Sequence, residues 1–292
     1  MAPLADDPIV VLGAPRSGTT YLRNILDSHP EVSISNEVRV LEWLHRALAA
    51  TQDERALMAD RDDFVSFLHA ELPALVRRYY AARAPEARWW GDKNPHYAEN
   101  EGTLRTLAAV FPGSRFVHIV RDPRAVVASL LKKRHDDGRP WTKPEEAHVL
   151  VGTHLEVASR FGATMPADRY HLLRYEDLVG DDEASARALF AWLGIPFHDA
   201  VAELCRAQAV QRTAFSGPTS DLAHAGRRDS AITAWLAAVP PARQRESLQF
   251  MAPYLLQFGY ETPASLDKFN RSLSSGAAHR GAQGQAAAGS EA

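Results

Sequence analysis

Short apolar runs rich in β-branched residues alternate along the chain with longer segments of helical periodicity. The first run, at 8–12, has no charged or polar side chain, which is typical of a strand buried on both faces. After it, Leu22, Ile25 and Leu26 recur at helical spacing and predict an amphipathic helix. Further extended segments are predicted at 33–37, 88–97, 115–120 and 169–175. Further helices are predicted at 38–50, 56–84, 104–110, 144–161, 176–193, 232–238 and 241–258, and one begins at Pro123.

The alternation of strands and helices predicts the fold class. It indicates an α/β protein with a central, mostly parallel sheet flanked by helices and joined by right-handed crossovers. Residues 1–271 are expected to form a single domain. From 272 to 292 the composition changes to serine, glycine, alanine and glutamine without apolar periodicity, which predicts a disordered tail.

Two segments are predicted from composition rather than from clear periodicity. The segment 56–84 is expected to be mostly helical, with an apolar face made of Phe64, Phe67, Leu68, Leu72, Leu75, Val76 and Tyr79. The segment 211–230 is polar and rich in glycine, serine and arginine, which predicts a long loop. Long loops are often lids or binding segments.

The segment Pro15–Thr20 carries the first chemical signal. It lies between a strand and a helix, where free backbone N–H groups and the helix dipole bind phosphate. The spacing of Gly13 and Gly18 matches a nucleotide-binding P-loop, but Thr19 stands where that motif requires lysine. Arg16 instead supplies a cation within the loop. The segment therefore predicts an anion site in a P-loop-like three-layer fold, with an ordinary strand-to-helix turn as the alternative.

The run Pro-Arg-Ser-Gly-Thr-Thr resembles the 5′-phosphosulfate loop of sulfotransferases that use 3′-phosphoadenosine 5′-phosphosulfate (PAPS). The segments 26–32 and 36–40 are similar to the protein-tyrosine sulfotransferase branch, and the resemblance covers most of residues 8–262. It implies in-line transfer of a sulfuryl group to the hydroxyl of a phenol, tyrosine, sugar or alcohol, with no metal required. It implies that the donor's 5′ side is bound by Arg16, Ser17, Gly18, Thr19 and Thr20.

The resemblance also implies a second anion site. In the family, an arginine at a strand end and a serine about two turns into the next helix bind the 3′-phosphate, and Arg121 and Ser129 stand in this arrangement. A guanidinium binds two phosphate oxygens at once, and a hydroxyl adds a neutral donor. Tyr175 stands where the family has a tyrosine near the adenine. The alternative is that Arg121 pairs with a carboxylate and Ser129 packs against the sheet.

The segment 231–235 is similar to a C-terminal segment of the family, with one departure. The family usually has lysine before the tryptophan, whereas this chain has Ala234. We expect Arg227 and Arg228 to replace that phosphate contact. A hydroxyl of the same loop corresponds to one of two residues, Thr219 or Ser220.

The resemblance implies a carboxylate general base. The family has its catalytic glutamate two residues before an arginine, and Glu37 stands two residues before Arg39. Lys93 stands where the family has a lysine that contacts the transferring group, and Arg16 and Lys93 are expected to stabilise the charge that develops there. His96 is the rival base, because the cytosolic small-molecule sulfotransferases use a nearby histidine. The structural alternative is that Glu37 pairs with Arg39 or caps the next helix.

Composition narrows the class of protein. A net charge of −3 argues against a general nucleic-acid binder, and the single cysteine excludes an internal disulfide. The N-terminus has no secretory pattern, and no apolar run is long enough to cross a bilayer. The animal tyrosine sulfotransferases are Golgi membrane proteins with disulfides. The departures from them favour a soluble, cytoplasmic, bacterial enzyme.

Two rival functions remain open on the sequence. One is a P-loop kinase for a small molecule, opposed by the absent loop lysine and by the second anion site. The other is a nucleotide-binding module without catalytic activity. The histidines show no zinc-ligand spacing, and neither a serine-hydrolase elbow nor a dinucleotide-binding glycine motif is present. The acceptor and the oligomeric state are not predicted.

Overall fold

The computed structural model describes residues 4–53, 61–216 and 224–274, and the chain divides into two compact units. Unit 1 is built from three segments, Met1–Gly13, Gly18–Ile119 and Glu156–Gly217. Unit 2 is likewise built from three segments, Ala14–Ser17, Val120–Leu155 and Pro218–Ala292. The single domain over 1–271 stays a prediction.

The order of strands and helices follows the alternation expected from the sequence. The strands are β1 (Ile9–Leu12), β2 (Val32–Asn36), β3 (Trp89–Lys93), β4 (Arg115–Val120) and β5 (Tyr170–Arg174). The first helices are α1 (Thr19–Asp27), α2 (Val40–Asp53), α3 (Arg61–Arg83), α4 (Glu101–Val110), α5 (Pro123–Lys132) and α6 (Pro144–Gly162), with a 3₁₀ helix at Pro95–Glu99. The later helices are α7 (Tyr175–Leu178), α8 (Asp182–Leu193), α9 (Asp199–Ser216), α10 (His224–Ala238), α11 (Pro241–Gln257) and α12 (Pro263–Ser274).

The described strands form one sheet in the order β2-β3-β1-β4-β5. The pairings of β2 with β3, β3 with β1, and β1 with β4 are all parallel, which confirms the predicted sheet. Parallel strands end at a common edge, so the residues that follow β2 and β3 emerge side by side. The register pairs Asn36 with Lys93 and thereby sets the position of Glu37.

Both faces of the sheet in unit 1 are covered by helices. Ile9 and Val11 of β1 pack with α1, α8 and α9, whereas Val10 and Leu12 pack with α2, α3 and α4. Successive side chains of a strand point to opposite faces, so burial on both sides requires the continuous apolar run seen in the sequence. Unit 1 thus has the predicted helix–sheet–helix layers. Its core includes Trp90, which is 1% exposed.

Unit 2 has its own apolar core. Helix α10 packs on α5, and Trp235 of α10 is fully buried beside Phe269 of α12. Met251 and Leu255 of α11 belong to the same cluster. In the described part of the chain, no helix has the length and apolar character needed to cross a bilayer.

Two predictions from composition are wrong. The predicted loop at 211–230 is helical at both ends, because α9 continues to Ser216 and α10 begins at His224. Residues 217–223 lie outside the described residues, and the polar sequence has no apolar spacing that would indicate the helices. The predicted tail starts too early, since α12 runs to Ser274. The rest of that tail, 275–292, lies outside the described residues.

The predicted apolar face of α3 is wrong in part. Phe64 and Phe67 are 51% and 59% exposed, and Leu75 is exposed as well. Val76 is buried as predicted, together with Tyr80, which lies one helical turn further and was not predicted. Apolar residues surround this helix, so spacing alone did not identify the buried side.

Candidate active site

Helix α1 in unit 1 begins at a glycine with a left-handed backbone. Gly18 has φ +102°, and no side chain caps the helix, which leaves its first backbone N–H groups open to an anion. A Cβ at this position would lie 2.4 Å from Cδ2 of Tyr175. Tyr175 therefore packs directly against Gly18, and its predicted place near the adenine stays a prediction. Of the adjacent threonines, Thr19 is buried and Thr20 is exposed.

Three of the predicted anion-binding residues meet within unit 2. Arg16 donates from Nε to Oγ of Ser129 over 3.1 Å, and Arg121 donates from Nη1 to the carbonyl oxygen of Arg16 over 3.3 Å. Ser17 is 1% exposed, and its Oγ has no hydrogen-bond partner within the described segments. A buried hydroxyl without a partner is costly in water-free surroundings. Two guanidinium groups and two hydroxyls form a donor set that fits phosphate or sulfate oxygens.

The predicted base and the predicted lysine meet within unit 1. Lys93 donates from Nζ to Oε1 of Glu37 over 2.5 Å, and the Glu37 N–H donates to the Lys93 carbonyl over 2.8 Å. The Lys93 side chain is 1% exposed, whereas that of Glu37 is 48% exposed. A buried ammonium thus faces a carboxylate that is about half exposed to solvent. The β2–β3 register is the physical reason for their contact.

Backbone strain coincides with the predicted catalytic residues. Among the described non-glycine residues, φ is positive at Arg16 (74°), Glu37 (58°) and Arg39 (62°). Such a conformation is costly and recurs at functional sites. Arg39 donates to both oxygens of Glu42, over 2.7 and 2.9 Å, so the alternative pairing of Glu37 with Arg39 is wrong.

The rival base, His96, has a carboxylate partner of its own. Its Nδ1 lies 2.6 Å from Oε1 of Glu99, and both side chains are about half exposed. It follows Lys93 by three residues and belongs to the 3₁₀ helix. His96 therefore stays the alternative to Glu37.

No role was predicted for Asp92, which lies beside Lys93 in β3. Asp92 is fully buried and accepts a hydrogen bond from the Tyr97 hydroxyl over 2.5 Å. Burial raises the pKa of Asp92 to about 6, although the Tyr97 hydrogen bond acts in the opposite direction. The sequence signal that could have identified Asp92 is its place directly before Lys93, the predicted catalytic lysine.

We expect Asp92→Asn to change the pH dependence of stability. The pKa of Asp92 is raised from 3.8 to about 6 on folding, so the neutral carboxyl favours the fold below pH 4 and that advantage is lost as pH rises through 6. The unfolding free energy of Asp92→Asn relative to wild type should therefore rise by about 2–3 kcal/mol between acid and neutral pH. Urea unfolding across this range measures the change. Asp63→Asn, at an exposed position of the same unit, is the control, and parallel curves for Asp92→Asn and wild type would contradict the prediction.

Arg228 has a different environment from the one expected. Its Nε and Nη2 each donate to Glu261 over 2.9 Å. Its phosphate contact stays a prediction. Thr219 and Ser220 lie outside the described residues, as does the side chain of Arg227.

Comparisons with known proteins show which family the chain is similar to. A sequence model described as the sulfotransferase family matches residues 8–199. Protein-tyrosine sulfotransferase 1 of Danio rerio is 26% identical over 288 residues, which cover 91% of this chain and 76% of that protein. Protein-tyrosine sulfotransferase 2 of Gallus gallus is 26% identical over 275 residues, which cover 88% and 70% of the respective chains.

A solved structure supports the fold class. The sulfotransferase domain from the Synechococcus PCC 7002 olefin synthase matches with a TM-score of 0.57 at 24% identity, covering 90% of this chain and 98% of that domain. This similarity confirms the predicted P-loop-like fold. Since the matching sequence model spans well over half of its length, the chain belongs to the sulfotransferase family.

Proposed function

We propose that the protein is a PAPS-dependent O-sulfotransferase. The observation that carries this proposal is the unit 2 cluster, in which Arg16 is hydrogen-bonded to both Ser129 and Arg121. Ser17, the next residue after Arg16, has a buried hydroxyl without a partner among the described residues. In this proposal Arg121 and Ser129 bind the donor's 3′-phosphate, and the loop residues from Arg16 to Thr20 bind its 5′ side. Tyr175 is proposed to contact the adenine.

The proposed chemistry is in-line transfer of a sulfuryl group. PAPS supplies that group when bound, and adenosine 3′,5′-bisphosphate is the product. A bond forms between the acceptor oxygen and sulfur as the bond from sulfur to the donor's bridging oxygen breaks. Glu37 accepts the proton of the acceptor hydroxyl, and Arg16 and Lys93 stabilise the negative charge that develops.

The pairing of Lys93 with Glu37 supports these roles. The hydrogen bond from Lys93 fixes the position of the Glu37 carboxylate, whose side chain is about half exposed. The ammonium is buried and positioned by strand β3, so it needs little reorganisation to face an anion. The acceptor is proposed only as a hydroxyl compound. Relatives named protein-tyrosine sulfotransferases make a tyrosine peptide the first acceptor to test.

Ligand-dependent melting and a transfer assay test the proposal. Adenosine 3′,5′-bisphosphate should raise the melting temperature more than ADP or ATP, because a ligand that binds only the folded state stabilises it by mass action. Labelled PAPS should then transfer sulfate to a hydroxyl acceptor. Preferential stabilisation by ATP would favour the kinase, and selective binding without transfer to any acceptor class would favour the module without catalytic activity.

Arg16→Ala is expected to lower turnover about tenfold while weakening the binding of adenosine 3′,5′-bisphosphate less than about threefold, because the charge that Arg16 meets grows in the transition state. Steady-state kinetics and calorimetry measure the two effects. Arg16→Gly is the matched variant, since glycine accepts the φ of 74° and separates loss of the side chain from backbone strain. If Arg16→Ala weakened nucleotide binding but left turnover unchanged, Arg16 would have a role in binding only.

A further inference from the structure

Four charged side chains form a network in unit 2 that the proposed chemistry does not use. Asp122 caps α5 by accepting from the Arg124 N–H over 2.9 Å. Its carboxylate also accepts from Nε and Nη2 of Arg124, over 3.0 and 2.7 Å. The Arg124 side chain is fully buried, and that of Asp122 is 4% exposed. This pairing fixes the first turn of α5, which follows Arg121 directly in the chain.

Glu261, between α11 and α12, completes the network. It accepts from Nη1 of Arg124 over 2.6 Å and from Nε and Nη2 of Arg228 over 2.9 Å each. The Ser265 hydroxyl donates to Oε2 of Glu261, the oxygen that also accepts from Nη2 of Arg228. The Glu261 side chain is fully buried. Burial acts to raise the pKa of Glu261, but the hydrogen bonds from Arg228, Ser265 and Arg124 outweigh it and hold that pKa below its ordinary value.

Each ion of the network has oppositely charged partners. The buried Arg124 pairs with Asp122 and Glu261, and the partly exposed Arg228 pairs with Glu261 and also lies 3.5 Å from Asp229. Buried ion pairs add little stability compared with apolar side chains, but they fix geometry because each partner needs the other. The geometry fixed here belongs to the turn that carries Arg121 and to the start of α10.

We infer that Glu261 is a positioning residue for donor selection: through Arg124 it fixes the turn that presents Arg121, and it holds Arg228 in place at the start of α10. This inference rests on the proposed function, in which Arg121 reads the 3′-phosphate. It concerns a residue that stands 137 positions after Arg124 in the chain. Loss of a positioning residue weakens the binding of one part of the ligand, here the 3′-phosphate, whereas a purely structural loss weakens the binding of the whole nucleotide.

The test compares two nucleotides that differ only in the 3′-phosphate. Dissociation constants for adenosine 3′,5′-bisphosphate and adenosine 5′-phosphate are measured by calorimetry with the full chain. Glu261→Gln should reduce the preference for the bisphosphate about tenfold and change the affinity for the monophosphate less than about twofold, as expected when one member of a coupled network is removed. Equal losses for both nucleotides would show a structural role only and overturn the inference.

A second variant at the same position keeps the test decisive if Glu261→Gln fails to fold. Glu261→Asp keeps the charge but is one methylene shorter and cannot reach both arginines, so it should reduce the preference in the same direction. Glu246→Gln makes the same chemical change at an exposed ion pair of unit 2 and should leave the preference unchanged. If both Glu261 variants kept the wild-type preference for the bisphosphate, the inference would be overturned and the proposed function would stand. A wild-type protein with no preference would contradict the proposed function and the inference with it.

Discussion

Glu37→Gln should lower turnover about 100-fold while the affinity for adenosine 3′,5′-bisphosphate stays near that of wild type. The amide keeps the size of the side chain and still accepts a hydrogen bond from Lys93, but it cannot accept a proton at neutral pH. The left-handed backbone at position 37 is unchanged by this substitution, so the fold should be retained. Single-turnover rates and nucleotide binding measure the two parts of the prediction.

Two variants separate Glu37 from its rival. Glu99→Gln removes an exposed carboxylate that pairs with His96 and should leave turnover within about twofold of wild type. His96→Ala tests the histidine directly. If Glu37→Gln keeps most of its activity and His96→Ala abolishes it, the base is the histidine.

Arg121→Ala is expected to weaken the binding of PAPS by about 2–3 kcal/mol, which is typical of losing a charge-assisted contact to a phosphate. Binding of adenosine 5′-phosphosulfate, which has no 3′-phosphate, should hardly change. Competition against adenosine 3′,5′-bisphosphate gives both affinities. The substitution also removes a hydrogen bond of 3.3 Å to the Arg16 carbonyl, a long contact with a small contribution.

Arg139→Ala is the control for general electrostatics. It removes another exposed arginine of unit 2, which pairs with Asp137, and should affect neither ligand. Equal losses for PAPS and adenosine 5′-phosphosulfate in Arg121→Ala would show that Arg121 does not read the 3′-phosphate.

The strands and the anion-binding loop were predictable because their signals are local. A continuous apolar run such as 8–12 fits only a strand covered on both faces, and Gly18 at a strand-to-helix junction indicates a special backbone conformation. Helix α3 was predicted less well, because apolar residues such as Phe67 occur on more than one of its sides. The helices at either end of 211–230 were missed for the opposite reason, since the sequence there is polar and has no apolar periodicity.

The contacts of the candidate site depend on pairings that no local pattern encodes. Glu37 meets Lys93 because β2 pairs with β3 in one particular register. Burial in the core raises the pKa of Asp92, against the hydrogen bond from Tyr97, which acts to lower it. Glu261 reaches Arg124 only after the helices of unit 2 pack together. Such residues become visible when burial and hydrogen bonding are known.

The two separate cores also have an optical consequence. Trp90 in unit 1 lies 4.5 Å from the ring of Tyr80, and Trp235 in unit 2 lies 6.0 Å from that of Phe269. Both indoles are shielded from water, whereas the other tryptophans of the chain are more exposed. Replacing either buried tryptophan by phenylalanine leaves a buried fluorophore in one core only. The red shift of its emission on unfolding would then show whether the two cores melt in one transition or in two.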